Sequence, residues 1–193
     1  RVLFRSKMNR INESIEDNPI IAAIRNIEML DAALDSNVNV IFLLCGSILN
    51  IDEQIKRIKV KGKLVCVHIE FVEGLGRDSA AIKYLKKTGV DGIITTKPNL
   101  IKDIKSHEMI AIQRLFMLDS RSLEMGIKSV LDEKPYAVEI MPGVASKVIK
   151  RMKKKINIPI IAGGLINDKE DIIDALSCGA SAVSTSNQLL WNE

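Results

Sequence analysis

Eight short apolar runs recur along this chain, and between successive runs lies a segment of helical character. The runs cover residues 20–25, 39–45, 63–70, 92–96, 109–114, 137–141, 159–162 and 182–186. The segments between them predict helices at about 27–35, 51–58, 77–88, 99–105, 120–131, 145–156 and up to 177; after the last run only a stub remains, at 187–191. Gly89 and Gly179 stop two of the helices, as glycine commonly does just past a helix end. Pro98 opens another, and Asn167 with Glu170 has capping-box spacing. Strict strand-then-helix alternation calls for parallel strands and right-handed crossovers. Such strands are buried on both faces, which suits isoleucine-rich runs in a chain with 4% aromatic residues. Eight units select a closed barrel over an open sheet. The expected fold is therefore α/β, a compact (β/α)8 TIM-like barrel whose last helix is reduced to a stub. Its 193 residues sit near the lower bound of about 200 for such barrels, so the loops must be short.

The expected organisation is a polar amphipathic helix or extension over residues 1–18, then one barrel domain over 19–193. Met8 is a candidate first residue, with residues 1–7 then an upstream extension. The beginning of the sequence lacks the apolar core of a secretory signal. No apolar run approaches the ~18 residues of a membrane helix, so no membrane partner is expected. Cys45, Cys66 and Cys178 are odd in number, far apart and set in apolar segments. They read as buried, reduced thiols of a cytoplasmic protein rather than a disulfide or metal framework. No metal or cofactor is expected.

Alternation along strands places polar side chains at the barrel mouth. In the third run Val65, Val67 and Ile69 fit the outward face, which turns Cys66, His68 and Glu70 toward the lumen. In the sixth, Val138 and Ile140 go outward and Glu139 inward. The same reading puts Arg25 and Gln113 inward, with Lys97 just past the fourth strand. Two unpaired buried carboxylates would be costly, and Arg25 and Lys97 are the expected partners of Glu70 and Glu139. Polar groups gathered at the carboxyl ends of several strands are the usual site in this fold.

The last two runs bring a second constellation. Gly163 and Gly164 leave backbone N–H groups bare, and Ser184, Thr185, Ser186 and Asn187 follow one unit later. A short helix started by Asn187 would add its partial positive charge. Loops after strands seven and eight form the recurring phosphate site of such barrels. The expected phosphate ligands are Gly163, Gly164, Ser186 and Asn187.

Several stretches carry a family resemblance. They are AAIRN (Ala22–Asn26), HIEFVEGL (His68–Leu75), AIQRLFMLDS (Ala111–Ser120), VEIMPG (Val138–Gly143), IAGGLI (Ile161–Ile166) and STSNQLLW (Ser184–Trp191). On these the chain resembles the glycerol uptake operon antiterminators, the glycerol-3-phosphate-responsive antiterminator family, from Pro19 to Trp191. The resemblance implies a cytoplasmic bacterial regulator, not an enzyme, on a TIM-like barrel. It implies an effector, glycerol 3-phosphate, and a partner, the leader mRNA of a glycerol-catabolism operon, on which premature termination is prevented. With that ligand, Arg25, His68, Glu70, Lys97, Gln113 and Glu139 are the expected polyol contacts.

RNA affinity rests on cations spaced along phosphates. One dense run holds Lys147, Lys150, Arg151, Lys153, Lys154 and Lys155, of which Lys147, Lys150, Arg151 and Lys154 are the candidate RNA contacts. A second run holds Lys56, Arg57, Lys59, Lys61 and Lys63. Either run alone also reads as a solvated outer face. The aromatic residues Phe42, Phe71, Tyr84, Phe116, Tyr136 and Trp191 are too scattered for a base-stacking platform. A homodimer is compatible with the sequence but not derivable from it. An enzyme acting on a small phosphorylated polyol or sugar, a phosphodiesterase or isomerase, is the alternative, because fold does not fix function. In that case His68, Glu70 and Glu139 would do acid–base work or hold a divalent cation.

Overall fold

The strands pair in sequence order, and the eighth returns to pair with the first. In the computed structural model, which describes residues 2–193, they form a closed parallel barrel. The strands are β1 (Ile20–Ile24), β2 (Val40–Leu43), β3 (Leu64–His68), β4 (Gly92–Thr95), β5 (Ile110–Phe116), β6 (Ala137–Met141), β7 (Ile160–Gly163) and β8 (Ala182–Thr185). An N-terminal helix, α1 (Val2–Asp17), precedes β1. Arg1 and the side chains of residues 2–5 and 7 lie outside the described residues. The crossovers are α2 (Leu30–Asp35), α3 (Ile51–Val60), α4 (Ser79–Lys87), α5 (Pro98–Ser106), α6 (Ser120–Glu133), α7 (Ser146–Lys153) and α8 (Lys169–Ser177). The final stub is a 3-10 turn at Gln188–Leu190.

Local chemistry sets the helix starts. Asp78 and Asp119 cap α4 and α6 by accepting from Ala81 N and Ser122 N, and Pro98 occupies the first turn of α5. The cap of α8 is Asp168, which accepts from Asp171 N. The Asn167–Glu170 spacing is therefore one residue out of register. Asn167 instead donates its backbone N–H to the Asp171 carboxylate.

Two apolar clusters divide the core. The outer one lies between strands and helices and includes Ala22, Ile41, Val67, Ala111, Ile140 and Val183. The inner one fills the lumen with Ile21, Phe42, Cys66, Ile94, Ile112 and Ile161, and Ile11 and Ile15 of α1 belong to it. The first helix thus closes the end of the barrel opposite the loops that follow the strands. Arg10 donating to Gly62 O, and a hydrogen bond between Tyr136 and Asn12, tie it down. All three cysteines are free thiols. Cys66 is buried, and that burial, with the nearby Asp91 charge, pushes its thiol well up; Cys45 and Cys178 are only partly buried, short of the expectation. Among the described residues no helix is long and apolar enough to cross a membrane.

Candidate functional site

A cleft of about 920 Å³ opens at the carboxyl ends of the strands. That volume falls in the usual range for small-molecule sites. Its floor is a buried polar network. Glu139 on β6 and Arg114 on β5 are register partners, so their side chains leave the same face of the sheet. Arg114 Nε donates to Glu139 Oε2 at 2.6 Å, and Ser184 Oγ donates to Glu139 Oε1 at 2.6 Å. Arg114 is 5% exposed and Glu139 1%, so the pair is desolvated and each charge depends on the other.

This network corrects three sequence expectations. The partner of Glu139 is Arg114, not Arg25 or Lys97. Gln113 faces outward, where its Nε2 donates to Ser129 Oγ on α6 at 2.7 Å. The strand sets this: Ile110 and Ile112 fill the lumen and Ala111 lies outside, so alternation turns 113 out and 114 in. Gly163 lies beneath the cleft rather than on its wall. A Cβ there would sit 2.6 Å from both Glu139 Oε1 and Ser184 Oγ. Its missing side chain gives Glu139 room to reach across β7 to β8.

The phosphate side of the cleft is built from the turns after β7 and β8. Gly164 lines it with φ +79°, a left-handed conformation that favours glycine. Ser186 and Asn187 line it from β8. Asn187 is largely committed to shape. Its side chain accepts from Leu189 N at 3.2 Å, donates to Asn167 O at 2.8 Å, and so clamps one turn to the other. Thr185 assists, donating to Ile166 O and accepting from Asn187 N. Arg25 follows β1, the strand that pairs with β8, and lines the cleft there, exposed.

His68, Glu70 and Lys97 are not on the cleft wall. The strand reading fails beyond His68, because β3 ends there and Ile69–Phe71 forms a 3-10 turn. That turn lays the Phe71 ring over the His68 ring, with centroids 4.2 Å apart. Phe71 then faces the cleft, with the Arg114 guanidinium 5.9 Å from its centroid. His68 is fully buried beneath it, and its Nε2 has no hydrogen-bond partner. Its Nδ1 lies 3.0 Å from Glu70 Oε2, with poor hydrogen-bond alignment. Glu70 reaches back to β4, accepting from Thr95 Oγ1 and from Thr96 N. Lys97 sits half-buried at the start of α5. Phe71 and Arg114 are the site residues that sequence reasoning missed. Arg114 had a signal: Glu139 requires a buried cation, and β5 holds one. Among the described residues no cluster of three or more His, Cys, Asp or Glu is placed to hold a metal.

Burial raises the Glu70 carboxyl, but the contact with His68 and the bonds from Thr95 and Thr96 outweigh it and hold it below its ordinary value. The folded state therefore binds fewer protons here than the unfolded chain. The contribution to stability is full above about pH 4.3, the ordinary value for glutamate, and is lost as pH falls through the folded value. Urea midpoints measured across that window are expected to fall toward acid, and Glu70→Gln is expected to flatten the fall. An equal slope in both proteins would remove Glu70 as its source.

Fold and cleft together define a class, the (β/α)8 barrels with a polar ligand cleft at the carboxyl ends of their strands. Within that class, the glycerol-3-phosphate responsive antiterminator family matches residues 20–191, and the chain belongs to that family. It is similar to the glycerol uptake operon antiterminator regulatory protein of Listeria monocytogenes, at 35% identity and TM-score 0.86, over 90% of this chain and 95% of that one. A glycerol uptake operon antiterminator-related protein of Thermotoga maritima aligns at 38% identity and TM-score 0.81, over 89% and 96%. The uncharacterized protein YgcP of Escherichia coli is 38% identical over 178 residues, 92% of this chain and 93% of its own. N-acetylmannosamine-6-phosphate 2-epimerase from Clostridium perfringens, at 16% identity and TM-score 0.69, shares the fold alone.

Proposed function

We propose that this protein is a cytoplasmic, glycerol-3-phosphate-sensing antiterminator. It binds the effector in the cleft and, in that state, binds the leader mRNA of a glycerol-catabolism operon and prevents premature termination. The observation that carries the ligand reading is the pairing of Gly164 and Ser186, on clamped neighbouring turns, with a cation, Arg25, at the end of the adjoining strand β1 and lining the same cleft. The phosphate sits against those turns, with Asn187 shaping them, and the glycerol hydroxyls meet Arg25 and the Arg114–Glu139 floor. His68 and Glu70 act from behind, as supports of the Phe71 wall, and Lys97 stands outside the cleft at the start of α5. Gln113 and Gly163 serve the barrel rather than the ligand.

An enzyme reading needs a titratable group free to exchange a proton at the ligand. Both oxygens of Glu139 are engaged, and His68 is covered by Phe71. That favours sensing over turnover. The effector can promote RNA binding only by binding the RNA-competent state more tightly. Titrating a terminator-containing leader RNA with and without glycerol 3-phosphate, at fixed salt, is expected to show tighter binding with the effector. Equal binding in both arms would sink this reading.

A further inference from the structure

The chain has two cationic runs, and the fold treats them in opposite ways. On and after α3 every cation has an internal partner. Lys56 pairs with Asp52 at 2.6 Å, Arg57 with Asp31, and Lys61 with Asp35 at 3.0 Å. Lys59 meets both oxygens of the buried Asp91 at 2.7 Å. Lys63 donates to the Ser36 and Val38 carbonyls. That positive charge is spent inside the molecule.

On α7 it is not. Lys147, Lys150, Arg151 and Lys154 are spaced to share one stripe of the helix, opposite the buried Ile149 and Met152. All four are exposed, as are Lys153 and Lys155, and among the described residues none of the six makes an ion pair. Like charges three and four apart destabilise a helix. This one keeps them with no ion pair among the described residues, so the whole charge faces solvent and is open to an outside partner. From Lys147 to Lys154 the stripe runs about 10 Å, at ~1.5 Å per residue. An extended line of fixed cations matches a polyanion with regularly spaced charges, not a small anion.

The segment that leads into α7 also lines the cleft. Met141 and Pro142 line the cleft, and α7 begins at Ser146. Between them, Gly143 N donates to Gly164 O at 3.0 Å. A Cβ on Gly143 would lie 2.8 Å from the backbone of Ala162 and Gly163. The segment that positions α7 is therefore packed directly on the turn that carries Gly164.

We propose that the α7 stripe is the surface that meets the RNA backbone. The assignment rests on the antiterminator reading above. It commits to a ribose-phosphate strand, with an acidic protein surface as the competing occupant. The full chain is titrated with the leader RNA in saturating glycerol 3-phosphate, at about 50 and 200 mM salt. The triple variant Lys150→Glu, Arg151→Glu, Lys154→Glu is compared with Lys56→Glu, Arg57→Glu, Lys61→Glu. Three lost phosphate contacts lower the slope of log K against log salt by about 2 on a single strand, so over that range wild type loses roughly 20-fold more affinity than the α7 variant. The α7 variant is also expected to bind RNA far more weakly at the lower salt while its calorimetric titration with glycerol 3-phosphate is unchanged. The milder Lys150→Gln, Arg151→Gln, Lys154→Gln protein, with native circular dichroism, guards against a folding artefact. Unchanged affinity and slope in both α7 variants overturn the surface assignment while wild-type binding upholds the function. A greater loss in the α3 variant than in the α7 variant also overturns it. A wild-type protein that binds no leader RNA overturns the underlying reading and the surface with it.

Discussion

Gly164→Glu is expected to weaken glycerol 3-phosphate binding at least about 100-fold in a calorimetric titration, with the barrel intact. A charge placed about 4 Å from the phosphate costs ~4 kcal/mol at an effective dielectric near 20, and solvent at the open cleft reduces that. The fold pays much less. The left-handed backbone at φ +79° costs an L-residue about 1–2 kcal/mol, against the ~5–15 kcal/mol typical of a domain. The new Cβ would lie 2.8 Å from Met141 Cε, the far end of a flexible side chain that can move aside. Gly164→Ala carries the same backbone strain and the same contact without the charge, and is expected to bind more tightly than the glutamate. If the glutamate protein titrates like wild type, the phosphate does not bind at this turn.

Glu139→Ala is expected to cost about 3–5 kcal/mol of stability, the usual penalty for breaking a buried ion pair. The loss leaves the Arg114 guanidinium charged and unpaired in a desolvated lumen and removes the acceptor of Ser184. The double variant Arg114→Met, Glu139→Leu is expected to be more stable than the single one, because no charge is left behind. Urea denaturation of the three proteins checks both statements. A loss below about 1 kcal/mol for Glu139→Ala would mean that water reaches the pair.

The barrel was legible in the sequence because alternation and burial act on every residue of a strand at once. The mouth was less so, and the reasons are local. Gln113 and Arg114 are adjacent polar residues in a run apolar on both faces, so the strand's own pattern could not say which faced inward. The register opposite Glu139 decides it. Glu70 was assigned by extending an alternation past the end of its strand, and the 3-10 turn at Ile69–Phe71 broke the period. Gly163 and Gly164 look alike in sequence, yet one makes room for a carboxylate and the other holds a positive φ. The two lysine-rich runs also look alike. Their difference lies in acidic residues such as Asp31, Asp35 and Asp91, on neighbouring elements.

Packed side chains fill the lumen down to Ile11 and Ile15 at its far end, so the cleft opens only on the side of the loops that follow the strands. A ligand must leave by the path along which it came. A rim side chain that meets the ligand only in passage, as the exposed Leu118 would, then raises or lowers a barrier common to both directions. It changes association and dissociation rates by one factor, and the affinity stays where it was. A group that touches the bound molecule instead changes the affinity, and with it the residence time. Gatekeepers and holders are therefore separable by rate measurements.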